Sequence, residues 1–71
     1  MTKPTIVTNS IKLLRRQNNI TQAELAQKIG VTRQTIIAIE QSRYSPSLEL
    51  AFKIASVLHA PLDKVFHYKP E

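Results

Sequence analysis

The sequence contains no cysteine, and this absence excludes disulfide bonds, thiolate metal sites and cysteine nucleophiles. Long apolar runs are also absent, because the longest covers the four residues 36–39, whereas a membrane-spanning helix needs roughly 20. Residues 1–10 lack the apolar stretch of a secretory signal. These absences are compatible with a reducing cytoplasm, which is the location we expect, and they favour neither export nor membrane insertion.

Low-complexity tracts, linkers and internal repeats are missing from the 71 residues. A chain of this length buries only roughly 60% of its unfolded surface, so it has room for one small domain. We expect residues 1–71 to form this single domain, with the core contributed by residues 10–66.

Acidic residues are scarce, with five against ten lysines and arginines, and the formal net charge is +5. Residues 1–43 hold seven of the basic side chains and two of the acids, whereas residues 44–71 hold three of each. The whole positive excess therefore lies in the first part of the chain, where a polyphosphate partner would be bound. The alternative is a charged surface that only maintains solubility.

Glycine is rare as well, and the only one, Gly30, lies between two short segments with helical periodicity. Before it, Leu25 and Ile29 are spaced to share one helix face, and after it Ile36 and Ile39 are spaced to share another. Gly30 can adopt a positive φ, which lets the first helix end abruptly. The pattern predicts two helices that meet at a sharp corner with their apolar stripes in contact.

Capping residues mark both helices of this pair. Thr21 and Glu24 have the spacing of a capping box, which predicts the start of the first helix. Thr32 is a good N-cap for the second helix. Ala26 has the small side chain that a close approach of the two helices requires. Together these positions predict a helix-turn-helix over residues 21–41.

Two runs carry a wider similarity, Thr21-Gln-Ala-Glu-Leu-Ala-Gln-Lys-Ile-Gly30 and Val31-Thr-Arg-Gln-Thr-Ile-Ile-Ala-Ile-Glu40. With them the sequence resembles the lambdoid phage repressor and Cro (XRE) family of DNA-binding proteins, from about Ile11 to Phe66. Within that family it is similar to small stand-alone bacterial regulators such as the cytolysin operon repressor, which end in a similar Pro-Leu-acidic-x-x-Phe and aromatic tail. The resemblance implies a mainly α-helical domain that binds double-stranded DNA and regulates transcription.

Periodicity and capping residues predict five helices in all. They are a helix capped by Ser10 and running to about Gln17, one following Thr21, one at about Arg33 to Gln41, one at Leu48–Leu58 capped by Ser45 or Ser47, and a final turn at Leu62–Phe66. The tail Phe66–Pro70 alternates apolar and polar residues, as a strand does. We expect it to pair with Thr5–Thr8 in a short antiparallel ribbon, the alternative being two frayed ends.

Four residues of the second helix of the pair are candidate base readers: Arg33, Gln34, Ile37 and Ala38. Helical geometry turns them outward if Ile36 and Ile39 face the core, and the start of this helix enters the major groove in a helix-turn-helix. Arginine can bond guanine O6 and N7, and glutamine can bond adenine N6 and N7. Ile37 can contact thymine methyl groups, and Ala38 permits close approach.

Contacts to the DNA backbone are expected from amides, hydroxyls and basic side chains. The resemblance implies that the amide of Gln22 binds a phosphate, and Arg15 and Arg16 are expected to add only general attraction. The other backbone candidates are Thr32, which is an N-cap first, and Thr35, Arg43, Tyr44 and Ser45.

The chain departs from the family's pattern after the second helix of the pair. The family often has Asn-Gly after the final Glu of this helix and an Asn before the loop proline. The corresponding residues here are Gln41, Ser42 and Ser45. These departures affect the geometry expected for this loop and any base contact expected from Ser45.

Catalysis is not expected, because no acid and base pair or nucleophile is recognisable. His59 and His67 are the only histidines, and without nearby acidic partners they do not form a metal site. The five acids are better explained by caps, surface pairs or the chain terminus: Glu24, Glu40, Glu49, Asp63 and Glu71. We expect no metal, no cofactor and no small-molecule ligand. The rival interpretation is an antitoxin-like or adaptor module that uses the same fold to bind another protein.

A single module of this size covers one half-site, which seldom provides enough affinity. We therefore expect a homodimer on an inverted-repeat operator. Its interface residues are expected to be Leu62, Val65, Phe66 and Tyr68, which in the alternative complete a monomer core. The absence of an activation or ligand domain makes a repressor the expected function.

Overall fold

The computed structural model describes residues 7–68 and shows a mainly α-helical domain with one small sheet. In chain order the elements are β1 (Val7–Asn9), α1 (Ile11–Gln17), α2 (Gln22–Ile29), α3 (Arg33–Glu40), α4 (Leu48–Val57), α5 (Leu62–Val65) and β2 (Phe66–Tyr68). The expected fold class, five helices with a terminal ribbon, is confirmed. Within the described range, no helix is long and apolar enough to cross a membrane.

Side chains cap the starts of α2, α3 and α4. Thr21 Oγ1 accepts a hydrogen bond from the Glu24 N–H at 3.1 Å, and the Glu24 carboxylate accepts one from the Thr21 N–H at 2.9 Å. The predicted capping box is therefore present. Thr32 caps α3 as predicted, and of the two serines before α4 it is Ser47 that caps the helix.

The start of α1 differs from the sequence prediction. Ser10 occupies the N-cap position, but its hydroxyl makes no capping bond and lies 2.9 Å from Nε2 of His67. The Ile11 N–H donates instead to Oδ1 of Asn9 at 3.2 Å. The prediction that the Ser10 side chain caps this helix is wrong, because the fold offers its hydroxyl a partner from the other end of the chain.

The first four helices end in the same reverse turn, the Schellman motif. A residue with positive φ follows each helix: Asn19 (56°), Gly30 (77°), Ser42 (59°) and His59 (55°). The next N–H along donates to a carbonyl five residues earlier, in the bonds Ile20 to Arg15, Val31 to Ala26, Arg43 to Ala38 and Ala60 to Ala55, of 2.9 to 3.1 Å. Each turn satisfies helix-end carbonyls and redirects the chain within a few residues.

The core lies between all five helices. Its fully buried side chains are Ile11, Leu25, Ile36, Ile39, Ile54, Leu58 and Val65. The two predicted stripes of the helix pair meet in it. Val65 is 0% exposed, so its predicted place on a dimer surface is wrong. The single turn of α5 directs this side chain inward, where it completes the core of one chain.

The two strands form the ribbon that the alternating tail predicts. They are antiparallel, with Val7 opposite Tyr68 and Asn9 opposite Phe66. The ribbon is thereby confirmed, although β1 extends to Asn9 and Phe66 belongs to β2 and not to α5. The remaining parts of the predicted strands, residues 5–6 and 69–70, lie outside the described residues.

Hydrogen bonds between residues distant in sequence attach the ribbon to the helices. The Ser10 N–H donates to the carbonyl of Val65 at 2.9 Å, and Nδ2 of Asn9 donates to the carbonyl of Ile39 at 2.8 Å. Because a two-stranded ribbon is marginal by itself, these attachments explain how such short strands persist. The second bond also joins β1 to the end of α3.

Candidate nucleic-acid interface

The corner between α2 and α3 holds α3 by one of its faces. Ile36 and Ile39 are buried, and Ala26 of α2 is buried with them in the same apolar cluster. Gly30 has a φ of 77°, and a Cβ added there would meet no atom within 4 Å. Glycine is therefore favoured at this corner by backbone conformation and not by lack of space. The other side of α3 is left accessible.

The four predicted base readers lie on the accessible side of α3 to different degrees. Arg33 and Gln34, in its first turn, are exposed. Ile37 and Ala38, one turn later, are half-buried. The two polar side chains with donors for base edges are thus the more accessible members of the set, and they lie at the helix start.

A buried polar cluster joins the end of α3 to α1 and α2. The Arg15 guanidinium donates to both carboxylate oxygens of Glu40, at 2.7 and 3.3 Å. It also donates to the carbonyl of Ile20 at 3.1 Å. Nε2 of Gln22 donates to Oε1 of Glu40 at 3.1 Å. The Arg15 and Glu40 side chains are only 10% and 8% exposed, so this ion pair is an internal part of the domain.

This cluster corrects the role expected for Arg15. An arginine that is buried and paired with Glu40 contributes little to long-range attraction, because the two charges cancel. Arg16 is exposed, and the role expected for it stays a prediction. Sequence reasoning missed the pair because Arg15 and Glu40 are 25 residues apart and each is an ordinary surface residue type.

The predicted backbone contacts surround the start of α2, the start of α3 and the loop after α3. Gln22 and Thr35 are half-buried, and the other candidates are exposed: Thr32, Arg43, Tyr44 and Ser45. The hydroxyls of Thr32 and Thr35 lie 3.1 Å apart. The loop that replaces the family's Asn-Gly keeps a left-handed turn at Ser42, although serine disfavours it.

Two shallow hollows on this side of the molecule flank Gln22. One lies at the start of α2 and is lined by Arg15, Arg16, Thr21 and Arg33 among others. The other lies between α1 and α3, where Lys12 and Gln41 flank Ile37 and Glu40. Lys12 is exposed there and was missing from the sequence-based set, because a basic residue in α1 has no motif to identify it.

The comparison with known protein families matches residues 11–65 to the helix-turn-helix model HTH_3. The chain belongs to this helix-turn-helix family. An uncharacterised HTH-type transcriptional regulator of Methanocaldococcus jannaschii is 49% identical over 63 residues, covering 89% of this chain and 96% of that protein. The chain is thus a DNA-binding transcriptional regulator of the HTH_3 type, which confirms the expected family. Its particular similarity to the cytolysin operon repressor stays a prediction.

Two further proteins are similar to this HTH_3 domain, one in sequence and one in fold. Antitoxin HipB of Escherichia coli strain CFT073 is 46% identical over 55 residues, which cover 78% of this chain and 58% of HipB. A crystal structure from Bacteroides fragilis has a TM-score of 0.78 and covers 86% of this chain and 98% of that chain. At 24% identity the latter similarity shows the fold alone.

The HTH_3 domain has a second notable surface, formed by exposed apolar side chains of α4 and β2. Leu48 is 66% exposed, Phe52 55% and Tyr68 64%. Leu48 borders a hollow that is also lined by Val7, Pro46, Leu62 and Phe66. Of the predicted interface residues, Tyr68 is exposed while Leu62 and Phe66 are half-buried at this hollow. We call Leu48, Leu62, Phe66 and Tyr68 the apolar face.

Leu48 and Phe52 were not among the residues that sequence reasoning proposed for an interface. A signal was available, because both residues lie off the inward stripe that begins with Leu50 and Ile54. Large apolar residues that are neighbours on the polar side of an amphipathic helix are typical of interaction surfaces.

Proposed function

We propose that this regulator is a repressor that binds an inverted-repeat operator as a homodimer, with α3 of each copy in the major groove. The observation that carries the proposal is the position of Arg33 and Gln34. Both are exposed in the first turn of α3, while Ile36 and Ile39 anchor the opposite face in the core. This is how a recognition helix is presented to DNA.

The exposed chemistry of α3 suits direct base recognition. The Arg33 guanidinium offers two donors to O6 and N7 of guanine, and the Gln34 amide matches N6 and N7 of adenine. Ile37 and Ala38 are half-buried one turn further on, where they offer only apolar contacts, such as one to a thymine methyl group. The operator half-site is therefore proposed to contain a G·C pair for Arg33 and an A·T pair for Gln34.

Phosphate contacts are proposed for Gln22, Thr32, Thr35, Arg43, Tyr44 and Ser45. Gln22 lies at the start of α2 and Thr32 at the start of α3, where unpaired backbone N–H groups favour anions. Arg43 and Tyr44 are exposed in the loop that follows α3. Such contacts set the orientation of the domain on the duplex without selecting a sequence.

The apolar face is the proposed contact between two copies. Leu48 and Tyr68 are exposed, and Leu62 and Phe66 add apolar surface at the hollow that Leu48 borders. Residues 44–71, which contribute this face, have balanced charge, so two copies can meet without repulsion. A second copy provides the second recognition helix that a two-fold operator needs, about 34 Å from the first.

Repression is the proposed sign of regulation because a small domain bound at a promoter blocks access of the transcription machinery. Because the proposed target is double-stranded DNA, we propose a cytoplasmic location. We propose further that residues 1–71 act as a single domain without catalysis or a cofactor. Among the described residues there is no group of three or more histidine, aspartate or glutamate side chains that suits a metal ion.

The decisive experiment compares Arg33→Ala and Gln34→Ala with the unaltered protein. An operator is first selected from random duplex DNA, and affinities are then measured for that operator and for a random duplex. Each substitution is expected to weaken operator binding by on the order of 1 to 3 kcal/mol and to leave random binding nearly unchanged. Equal weakening on both duplexes would show that these residues bind phosphates only.

Lys28→Ala is the matched control for Arg33→Ala, because it also removes one exposed positive charge. Lys28 lies at the end of α2 beside a hollow that it shares with Lys53 and Val57 of α4. We expect it to preserve the preference for the operator. An equal loss of preference in Lys28→Ala would contradict the role proposed for Arg33.

The similarity to antitoxin HipB favours a second candidate, a module whose main partner is another protein. Fold does not decide between the two functions. In the second candidate, the Arg33→Ala and Gln34→Ala variants lose binding to a protein partner, and the unaltered protein selects no sequence from random DNA. Recovery of a defined operator by the unaltered protein favours the first candidate.

A further inference from the structure

The amide group of Gln22 is held in one orientation by Glu40. Gln22 is the first residue of α2, and its Nε2 donates to Oε1 of Glu40 at 3.1 Å. A carboxylate oxygen can only accept hydrogen bonds. If the Gln22 amide faced Glu40 with its oxygen, two acceptors would be in contact. Glu40 therefore selects the nitrogen end of the Gln22 amide.

Glu40 cannot easily turn away from Gln22, because Arg15 holds it on two sides. The Arg15 guanidinium donates to Oε2 at 2.7 Å and to Oε1 at 3.3 Å. The carbonyl of Ile20 accepts a further bond from Arg15 at 3.1 Å, which fixes the guanidinium in turn. The pair is formally neutral and buried, so Glu40 adds little repulsion toward a phosphate nearby.

An amide nitrogen has two N–H groups, and Glu40 uses one of them. The second has no partner among the residues that the structure describes. Gln22 is half-buried and also lines the hollow that contains Arg16 and Arg33, where an anion is attracted. A phosphate oxygen is the acceptor that fits this second N–H.

We propose that Glu40 is a positioning residue for DNA binding, which acts by turning the donor end of the Gln22 amide toward a backbone phosphate. The inference rests on the proposed DNA contact of Gln22 and assigns to α3 a second task besides base recognition. The last residue of the recognition helix thereby fixes a phosphate contact made by the neighbouring helix. A freely rotating Gln22 would present its oxygen to the phosphate part of the time.

The test is a mutant cycle that removes the Gln22 amide with and without the ion pair. Gln22→Met is made in the unaltered protein and in the Arg15→Met/Glu40→Leu background, since joint replacement of a buried pair by apolar residues preserves folding better than loss of one partner. Affinity is measured for the selected operator and for a random duplex, at a temperature where thermal denaturation shows every variant folded.

In the unaltered background, Gln22→Met is expected to weaken binding by about 10-fold on both duplexes, because a phosphate contact is independent of sequence. In the background without the pair, the same change is expected to weaken binding less than about 2-fold, because the amide is no longer oriented. An equal effect of Gln22→Met in the two backgrounds overturns the proposal. Gln27→Met, at an exposed glutamine of α2, is the control and is expected to change neither affinity.

A readout without DNA tests the orientation itself. In nitrogen-edited NMR spectra, one side-chain N–H of Gln22 is expected to resonate downfield in the unaltered protein, and this shift is expected to vanish in Arg15→Met/Glu40→Leu. An unchanged shift in the altered background overturns the positioning role. If the proposed function is wrong, the result is different, because the unaltered protein then binds the selected operator and the random duplex equally.

Discussion

Among residues 7–68, three residues with a side chain occupy a backbone conformation that favours glycine. Asn19, Ser42 and His59 have φ values of 56°, 59° and 55°, each just after a helix. The left-handed conformation costs roughly 1–2 kcal/mol for residues other than glycine, and asparagine tolerates it best. Backbone strain is therefore retained at two helix ends, at Ser42 after α3 and at His59 after α4. The family pattern or simple propensity would place glycine or asparagine at these positions.

Ser42→Gly is expected to stabilise the domain. Relief of the left-handed strain outweighs the greater freedom of glycine in the unfolded chain, and we expect a gain of about 0.5–1 kcal/mol in the free energy of unfolding. The measurement is urea denaturation monitored by circular dichroism. Ser56→Gly, inside α4, is the matched control and is expected to destabilise by a similar amount, so a change of the same sign in both would contradict the explanation.

The buried Arg15 and the exposed Lys53 show how burial determines the effect of an ion pair. Arg15 pairs with Glu40 at 2.7 Å with both side chains at most 10% exposed, whereas Lys53 lies 3.7 Å from Glu49 with 53% and 82% exposed. Water screens the second pair strongly. Removal of the cation from the first leaves an unpaired buried carboxylate.

Arg15→Met is therefore expected to destabilise the domain by about 3 kcal/mol, and the matched change Lys53→Met by less than about 0.5 kcal/mol. The two free energies are compared by urea denaturation at neutral pH and low salt. Similar losses in the two variants would show that the Glu40 carboxylate is solvated after all.

At the scale of single elements, α2 depends on its capping box. The backbone N–H of Thr21 bonds to the Glu24 carboxylate and is the main cause that lowers the pKa of this group below its ordinary value of 4.5. The Thr21 hydroxyl and the charge of Lys28 lower the pKa further, while slight desolvation opposes them. The ionised form of Glu24 is thus the form that stabilises the helix start.

This lowered pKa makes the stability of the domain depend on pH. Above pH 4.5 the full contribution of Glu24 is present, and it is lost as the pH falls through the lower pKa of the folded state, because the unfolded chain binds the proton first. Glu24→Gln retains the hydrogen-bond acceptor without the charge. We expect its free energy of unfolding to fall less than that of the unaltered protein between pH 6 and pH 3, both measured by urea denaturation. Parallel curves would contradict the role assigned to the charge.

The ribbon is an element whose existence depends on its attachments. Each strand has three residues, which is too short for independent stability. The bonds from Ser10 to Val65 and from Asn9 to Ile39 connect it to α5 and α3. The ribbon also draws the Ser10 hydroxyl away from α1, so one element is formed at the expense of a cap on another.

At the scale of the whole molecule, different elements supply the two proposed surfaces. The proposed DNA contacts come mainly from α2, α3 and the loop after α3, in the part of the chain that contains the positive excess. The apolar face comes from α4, α5 and β2, in the part with balanced charge. In the proposed function, this division would let one copy bind DNA and a second copy at the same time.

Leu48→Glu is expected to shift the protein from dimer to monomer and to weaken binding to an inverted repeat more than binding to a single half-site. The reason is that a charge at the proposed contact must be desolvated when two copies meet. Analytical ultracentrifugation and affinity measurements on the two duplexes provide the test. Leu13→Glu, at an exposed leucine of α1, is the matched control and should leave the dimer intact. A monomeric unaltered protein at high micromolar concentration would contradict the dimer.

Local interactions explain which parts of the fold could be predicted from the sequence. The capping box of Thr21 and Glu24 and the left-handed turn at Gly30 each depend on residues within one helical turn. The same holds for the apolar stripes that make α2 and α3 a helix-turn-helix. Such features are specified by residue type and spacing, and the structure contains them where the pattern indicates.

The sequence by itself determined the helical pair, the family and the exposed position of Arg33 and Gln34. Only the tertiary structure decided that Arg15 is buried against Glu40, that Ser10 bonds to His67 and that Val65 completes the core. The physical reason is distance along the chain, since the first two contacts join residues 25 and 57 positions apart. Whether a polar or apolar side chain is buried depends on which distant element covers it, and no local pattern encodes that arrangement.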